Sequence, residues 1–132
     1  MDQCFKSALE MAKWLESRPE VEKVLYPALP SDSNHQLWKR DFSGAAGLFS
    51  IILDKKYSNE ALARMLDKLH YYGMGYSWGG YESLILPFDA SSIRTATKYP
   101  FIDKTCIRIN IGLEDVADLQ EDLEAGFKRL RK

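Results

Sequence analysis

Residues 106–111 read Cys-Ile-Arg-Ile-Asn-Ile, and no other segment restricts the fold of this chain as strongly. Successive side chains of an extended strand point to opposite sides, so three isoleucines share one face while Cys106, Arg108 and Asn110 share the other. A strand divided in this way needs apolar cover on one side and room for a guanidinium on the other. Helices able to supply the cover are written into the same sequence. Phe5, Ala8, Leu9, Ala12 and Leu15 recur at helical spacing, and Arg18-Pro19 ends that helix. Ser58 is placed to cap a helix reaching about His70, with Leu62, Met65, Leu66 and Leu69 on one face. From Glu114 to Arg131 a third helix carries Val116, Leu119, Leu123, Phe127 and Leu130 as its stripe, with acids first and bases last, as the helix dipole favours.

Strands are predicted at 21–26 and 83–86 and, most clearly, at Leu48–Leu53, whose nearly unbroken apolar run reads as a central strand covered on both faces. Residues 31–43 read as a loop with a helical turn around His35–Arg40, and 88–104 as a short helix or irregular connection. The expected class is therefore α/β, a sheet with helices packed on it. A chain of 132 residues fits a single domain spanning 1–132. Its first helix begins almost at Met1 with only Asp2 to cap it, which suits a chain cut from something longer.

Charge narrows the function. Eighteen Lys and Arg against 19 Asp and Glu leave a formal net charge of −1, which argues against a nucleic-acid partner. No apolar run is long enough to span a membrane, and the amino-terminal residues lack a secretory pattern, so the expected location is cytoplasmic. Cys4 and Cys106 have no spacing suited to a zinc site or a disulfide framework, and no metal is expected.

Two places could carry chemistry. Arg108 in mid-strand offers a fixed fork for a carboxylate or phosphate, although an arginine on an exposed sheet face can equally extend into water. Residues 71–81 hold Tyr71, Tyr72, Tyr76, Trp78 and Tyr81 among Gly73, Gly75, Gly79 and Gly80, a mixture unsuited to an ordinary helix or strand. Within it, at Tyr76–Tyr81, Ser77 could supply a hydroxyl, Tyr76 and Trp78 a wall, and the glycine amides an anion-facing backbone. The same letters also suit an aromatic turn packed beneath a helix. His35 and His70 stand isolated, Glu82 and Glu114 form no evident pair, Cys106 has no histidine beside it, and Gly44 and Gly47 are turn residues. With no triad, metal cluster or phosphate loop, the chain reads as half of an active site.

The segments YSWGGYESLILP at 76–87 and IRINIGLEDVADLQEDLEAGF at 107–127 closely resemble the C-terminal domain of the bacterial cystathionine β-lyases, within the Cys/Met-metabolism family of pyridoxal-phosphate enzymes. LEMAKWLESRPEVEKVLYPALP and HQLWKRDFSGAAGLFSIIL extend the likeness over nearly the whole chain. GGxESL is common to the family, whereas Tyr76, Trp78 and Tyr81 resemble its β-lyase branch. The resemblance implies a two-layer sandwich with a small, mostly antiparallel sheet, as in the C-terminal domain of fold-type I enzymes. It implies Arg108 as the grip on the substrate α-carboxylate, Ser77 beside the cofactor-bearing lysine, and Trp78 and Tyr76 along the substrate pocket. The implied activity is cleavage of L-cystathionine to homocysteine, pyruvate and ammonia in methionine biosynthesis.

The resemblance also implies what this stretch lacks. The lysine that carries pyridoxal phosphate, the acid at the pyridine nitrogen and the phosphate loop lie upstream in the family, in an N-terminal cofactor domain. Thr95-Ala96-Thr97-Lys98-Tyr99 imitates the lysine's local context but follows the YSWGGYESL motif instead of preceding it, so Lys98 is expected to be a surface residue. Alone, the chain is expected to bind no cofactor and to be inactive; the family assembles as tetramers of complete subunits. The competing readings are a γ-synthase or γ-lyase, a β-lyase acting on cysteine S-conjugates, or a free-standing binding module without catalysis.

Overall fold

The computed structural model describes residues 2–76, 80–91 and 93–132. In chain order the elements are α1 (Asp2–Glu16), β1 (Val21–Leu25), α2 (His35–Asp41), β2 (Leu48–Leu53), α3 (Asn59–Leu66), β3 (Tyr72–Met74), β4 (Ser83–Phe88), β5 (Cys106–Asn110) and α4 (Val116–Leu130). The strands form a five-stranded sheet in the order β1-β2-β5-β4-β3. All pairs are antiparallel except β3 with β4, which run parallel. The sheet is thus mixed and mostly antiparallel.

The alternation in β5 is realised as written. Ile107, Ile109 and Ile111 are fully buried, opposite Ile51 and Phe49 of β2 and alongside Ile85 of β4. Onto this face pack Ala8, Met11, Ala12 and Leu15 of α1, Leu62 and Met65 of α3, and Leu119, Leu123 and Phe127 of α4. Gly126 lets α4 approach α3 closely, because a Cβ there would stand 3.3 Å from both Met65 and Leu69. Caps begin two of these helices: the Ser58 hydroxyl accepts from the Ala61 amide, and the Asp115 carboxylate from the amides of Ala117 and Asp118.

Three details differ from the sequence reading. α3 stops at Leu66 instead of continuing to about His70, because the backbone N–H groups of His70 and Tyr71 turn to the Asp122 carboxylate of α4. Within the glycine- and aromatic-rich stretch, Tyr72–Met74 form a short edge strand, which tertiary pairing imposes despite poor local propensity. β2 is covered unevenly. Phe49, Ile51 and Leu53 face the helices and Ile52 joins a small cluster with Tyr99 and Cys106, but Leu48 and Ser50 are only half-buried. The connection after β4 carries Tyr99 and Phe101 across one end of the second sheet face and leaves the other end open.

Replacing Phe127, the largest fully buried side chain among the described residues, with alanine should lower stability by about 3–5 kcal/mol. A denaturant titration of this chain followed by circular dichroism checks this, and a loss below 1 kcal/mol would contradict the packing described.

Candidate active site

With the isoleucines of β5 committed to the core, Arg108 emerges on the opposite face, between Ser50 of β2 and Leu86 of β4. It is half-buried, and its guanidinium carbon lies 5.5 Å from the centre of the Tyr76 ring, within cation–π range. A cleft of about 620 Å³ opens here, with Leu48, Ser50, Tyr76, Phe88, Ile93 and Arg108 on its walls. Tyr76 remains 72% exposed and Tyr81 71%, so neither packs beneath a helix as one reading of the segment allowed. Ser77 and Trp78 lie outside the described residues.

Backbone anchors explain how so irregular a segment reaches Arg108. On its entry side, the Asp122 carboxylate accepts the amide of His70 at 2.9 Å and that of Tyr71 at 2.9 Å. Tyr72 then donates its hydroxyl to the Leu119 carbonyl at 3.2 Å. Burial, followed by the nearby charges of Asp122 and Glu114, pushes the Tyr72 phenol well above its ordinary pKa and keeps it a donor. On the exit side, Glu114 takes the Ser83 amide at 3.0 Å and its hydroxyl at 2.9 Å, while that hydroxyl accepts the Gly112 amide at 2.9 Å. The Asn110 side-chain amide donates to the Glu82 carbonyl at 2.9 Å, and the Leu113 amide to the Tyr81 carbonyl at 2.9 Å. Gly112 is required at this crossing, since a Cβ would fall 2.2 Å from the Tyr81 carbonyl oxygen.

The remaining sequence candidates fall elsewhere. His35 is stacked on Trp38, with Nδ1 2.9 Å from the Pro27 carbonyl oxygen, and His70 is exposed. Glu82 is exposed, and Glu114 holds Ser83 instead of pairing with another acid. Cys106 shares a hydrogen bond with the Tyr99 hydroxyl, and burial pushes its thiol pKa up. Lys98 is exposed and does not line the cleft. Among the described residues, no group of three or more His, Cys, Asp or Glu could hold a metal ion, and no helix is long and apolar enough to cross a membrane. Sequence reasoning missed Ser50, Asp89 and Ile93, which border the cleft, and the anchor Asp122. Only Asp122 had a legible signal, being an acid set three residues after Leu119 on the apolar side of α4, where a buried carboxylate requires partners.

The Cys/Met metabolism PLP-dependent enzyme family matches residues 1–128. The chain belongs to that family. It is 51% identical over 128 residues to the cystathionine beta-lyase of Escherichia coli K12, a match covering 95% of this chain and 32% of the relative. It is also 49% identical over 124 residues to the L-alanine/L-glutamate racemase of Wolbachia pipientis wMel, covering 94% of this chain and 31% of that protein. Among solved structures, cystathionine gamma synthase from Xanthomonas oryzae pv. oryzae in complex with cystathionine superposes with a TM-score of 0.81 at 29% identity, covering 99% of this chain and 34% of that one. This chain therefore spans about a third of the length of the relatives it matches.

The family implies pyridoxal phosphate, and the described residues fit only part of such a site. Arg108, Ser50 and Tyr76 line the cleft together with the Asp89 carboxylate, a set whose guanidinium could hold an anionic group, but no lysine among the described residues lines it to carry the cofactor.

Two measurements test this geometry. Asp122→Ala should cost about 1–2 kcal/mol by orphaning the part-buried amides of His70 and Tyr71, and should strip hydrogen-exchange protection from Tyr71 and β3 before β1 or β2; uniform loss across the sheet would contradict the anchoring role. At neutral pH iodoacetamide should alkylate half-exposed Cys4 well before Cys106, which is 1% exposed; equal rates in mass spectra would refute the burial of Cys106.

Proposed function

We propose that this chain is the C-terminal, substrate-carboxylate-binding domain of a cystathionine β-lyase, which cleaves L-cystathionine to homocysteine, pyruvate and ammonia as a step in making methionine. The observation that carries the reading is Arg108 held mid-strand under Tyr76 in an open cleft. When bound, pyridoxal phosphate supplies an electron sink for bond breaking at the substrate's α-carbon. This chain's task is orientation. Arg108 clamps the α-carboxylate through two parallel hydrogen bonds, limiting rotation about the bond to the α-carbon. Tyr76 covers one face of the guanidinium and screens it from water, which strengthens the ion pair. Because β5 is bonded to strands on both sides, the clamp is carried by rigid backbone. Ser77 and Trp78 complete the pocket in this reading, Ser77 next to the cofactor-bearing lysine. That lysine belongs to an N-terminal cofactor domain of the same cytoplasmic, oligomeric enzyme.

The 49% identity to a racemase supports a second reading, in which the same clamp serves proton exchange at the α-carbon. The γ-synthase likeness supports a third, in which the γ-bond is the one cleaved. A chimera joining the remaining two-thirds of the Escherichia coli relative to this chain separates them. Pyruvate release from L-cystathionine is expected; 2-oxobutyrate would indicate γ-elimination, and alanine racemisation without pyruvate a racemase. In the same chimera Arg108→Lys should lower kcat/KM for L-cystathionine about 10- to 100-fold, because an ammonium cannot make the bidentate pair. Unchanged kinetics would exclude Arg108 as the clamp.

A further inference from the structure

Over the whole chain the charges nearly cancel, but they are not evenly spread. Where the connection from β2 to α3 meets α3 and the end of α4, Lys55, Lys56, Arg64, Arg131 and Lys132 line a hollow of about 310 Å³. Among the described residues, no Asp or Glu side chain lines it. Like charges gathered in this way repel one another and gain from an anion placed between them. Two of the guanidiniums are held by Glu20 and Arg129, neither of which lines the hollow. Arg131 Nη1 lies 3.0 Å from a carboxylate oxygen of Glu20, whose side chain is 2% exposed, while that of Arg131 stays 48% exposed. Arg64 Nε donates to the Arg129 carbonyl at 3.3 Å, and Arg129 answers with its Nε to the Arg64 carbonyl at 2.8 Å and its Nη2 to the Met65 carbonyl at 2.8 Å. For Arg64 and Arg131 each contact engages one nitrogen of a five-donor fork and leaves N–H groups for a further acceptor. Lys55 lies over the Tyr57 ring at 5.2 Å. Among the described residues, Lys55 and Arg64 form no salt bridge with a carboxylate, and Asp54 accepts the Tyr57 hydroxyl at 2.6 Å.

We propose that this hollow binds a small diphosphate, an anion of two linked phosphoryl groups, with Arg64 and Arg131 each taking one group and the lysines adding charge around them. A guanidinium meets phosphate oxygens through two parallel hydrogen bonds, and two such forks on separate elements suit two phosphoryl groups better than one. A hollow of this size holds a small molecule and not a strand, and the net charge of −1 disfavours a polynucleotide. Because the five cations are exposed, the attraction is screened by salt and affinity falls as salt rises. The hollow shares no lining residue with the cleft over Arg108, so this assignment stands apart from the lyase reading. An anion seated there ties the connection after β2 to α3 and to the end of α4, and so stabilises the folded chain.

The test titrates inorganic pyrophosphate into this chain by isothermal calorimetry at constant ionic strength, with sulfate in parallel. One saturable site is expected, with a dissociation constant below about 1 mM at low salt. Sulfate, which can fill only one fork, should bind about tenfold more weakly or less. Pyrophosphate should also raise the thermal unfolding midpoint. Arg64→Gln should weaken pyrophosphate binding about tenfold. Lys55→Gln, which removes no side-chain hydrogen bond among the described residues, should act in the same direction. Replacing both Lys6 and Lys13, exposed on α1 and outside the hollow, with glutamine should leave binding unchanged. A titration without saturation, sulfate binding as tightly as pyrophosphate, or equal weakening in the α1 variant would overturn the site.

Discussion

Everything in this molecule is arranged around the two unlike faces of β5. As the middle strand of the sheet it is hydrogen-bonded on both sides, so its side chains have only the two faces to occupy. Burying Ile107, Ile109 and Ile111 against α1, α3 and α4 supplies the largest shared apolar surface, and that burial leaves Arg108 no place except the opposite face. A one-residue slip in register would drive the guanidinium into the core, so packing of the core and presentation of Arg108 are secured by the same contacts.

Two carboxylates fix the backbone that borders the open face. Asp122, midway along α4, and Glu114, just before its N-terminus, hold the backbone on either side of the glycine- and aromatic-rich stretch. Each accepts backbone N–H groups that neither helix nor sheet would otherwise satisfy, and such buried amides are costly if orphaned. α4 therefore covers the isoleucines with its apolar stripe while Asp122 within it and Glu114 just before it anchor the segment that carries Tyr76. The chain, a member of the Cys/Met metabolism PLP-dependent enzyme family, is 51% identical to a lyase, 49% to a racemase and 29% to a γ-synthase over the matched stretches.

Much of the fold could be read from local pattern. Helical spacing located α1, α4 and the start of α3, and alternation located β5. The apolar run at 48–53 became β2, and the polar stretch around His35 became α2. The errors have a common cause. His70 lies outside α3 and Tyr72–Met74 form a strand because distant partners, Asp122 and β4, capture their backbone groups. Similarly, the uneven cover of β2 depends on where the connection carrying Tyr99 and Phe101 comes to rest.

Of the candidate site, the sequence by itself determined the residue types and which face of β5 they occupy, because strand alternation and the hydrophobic effect act through neighbours in the chain. It also carried the motifs by which the family can be recognised. Only the tertiary structure decided that Tyr76 meets Arg108, that Ser50 and Asp89 border the same cleft, and that Glu114 holds Ser83 and is not one half of an acid pair. Those contacts join residues some 30 or more positions apart, or from separate strands. They are set by sheet order and by the crossing of α4, which local periodicity cannot encode.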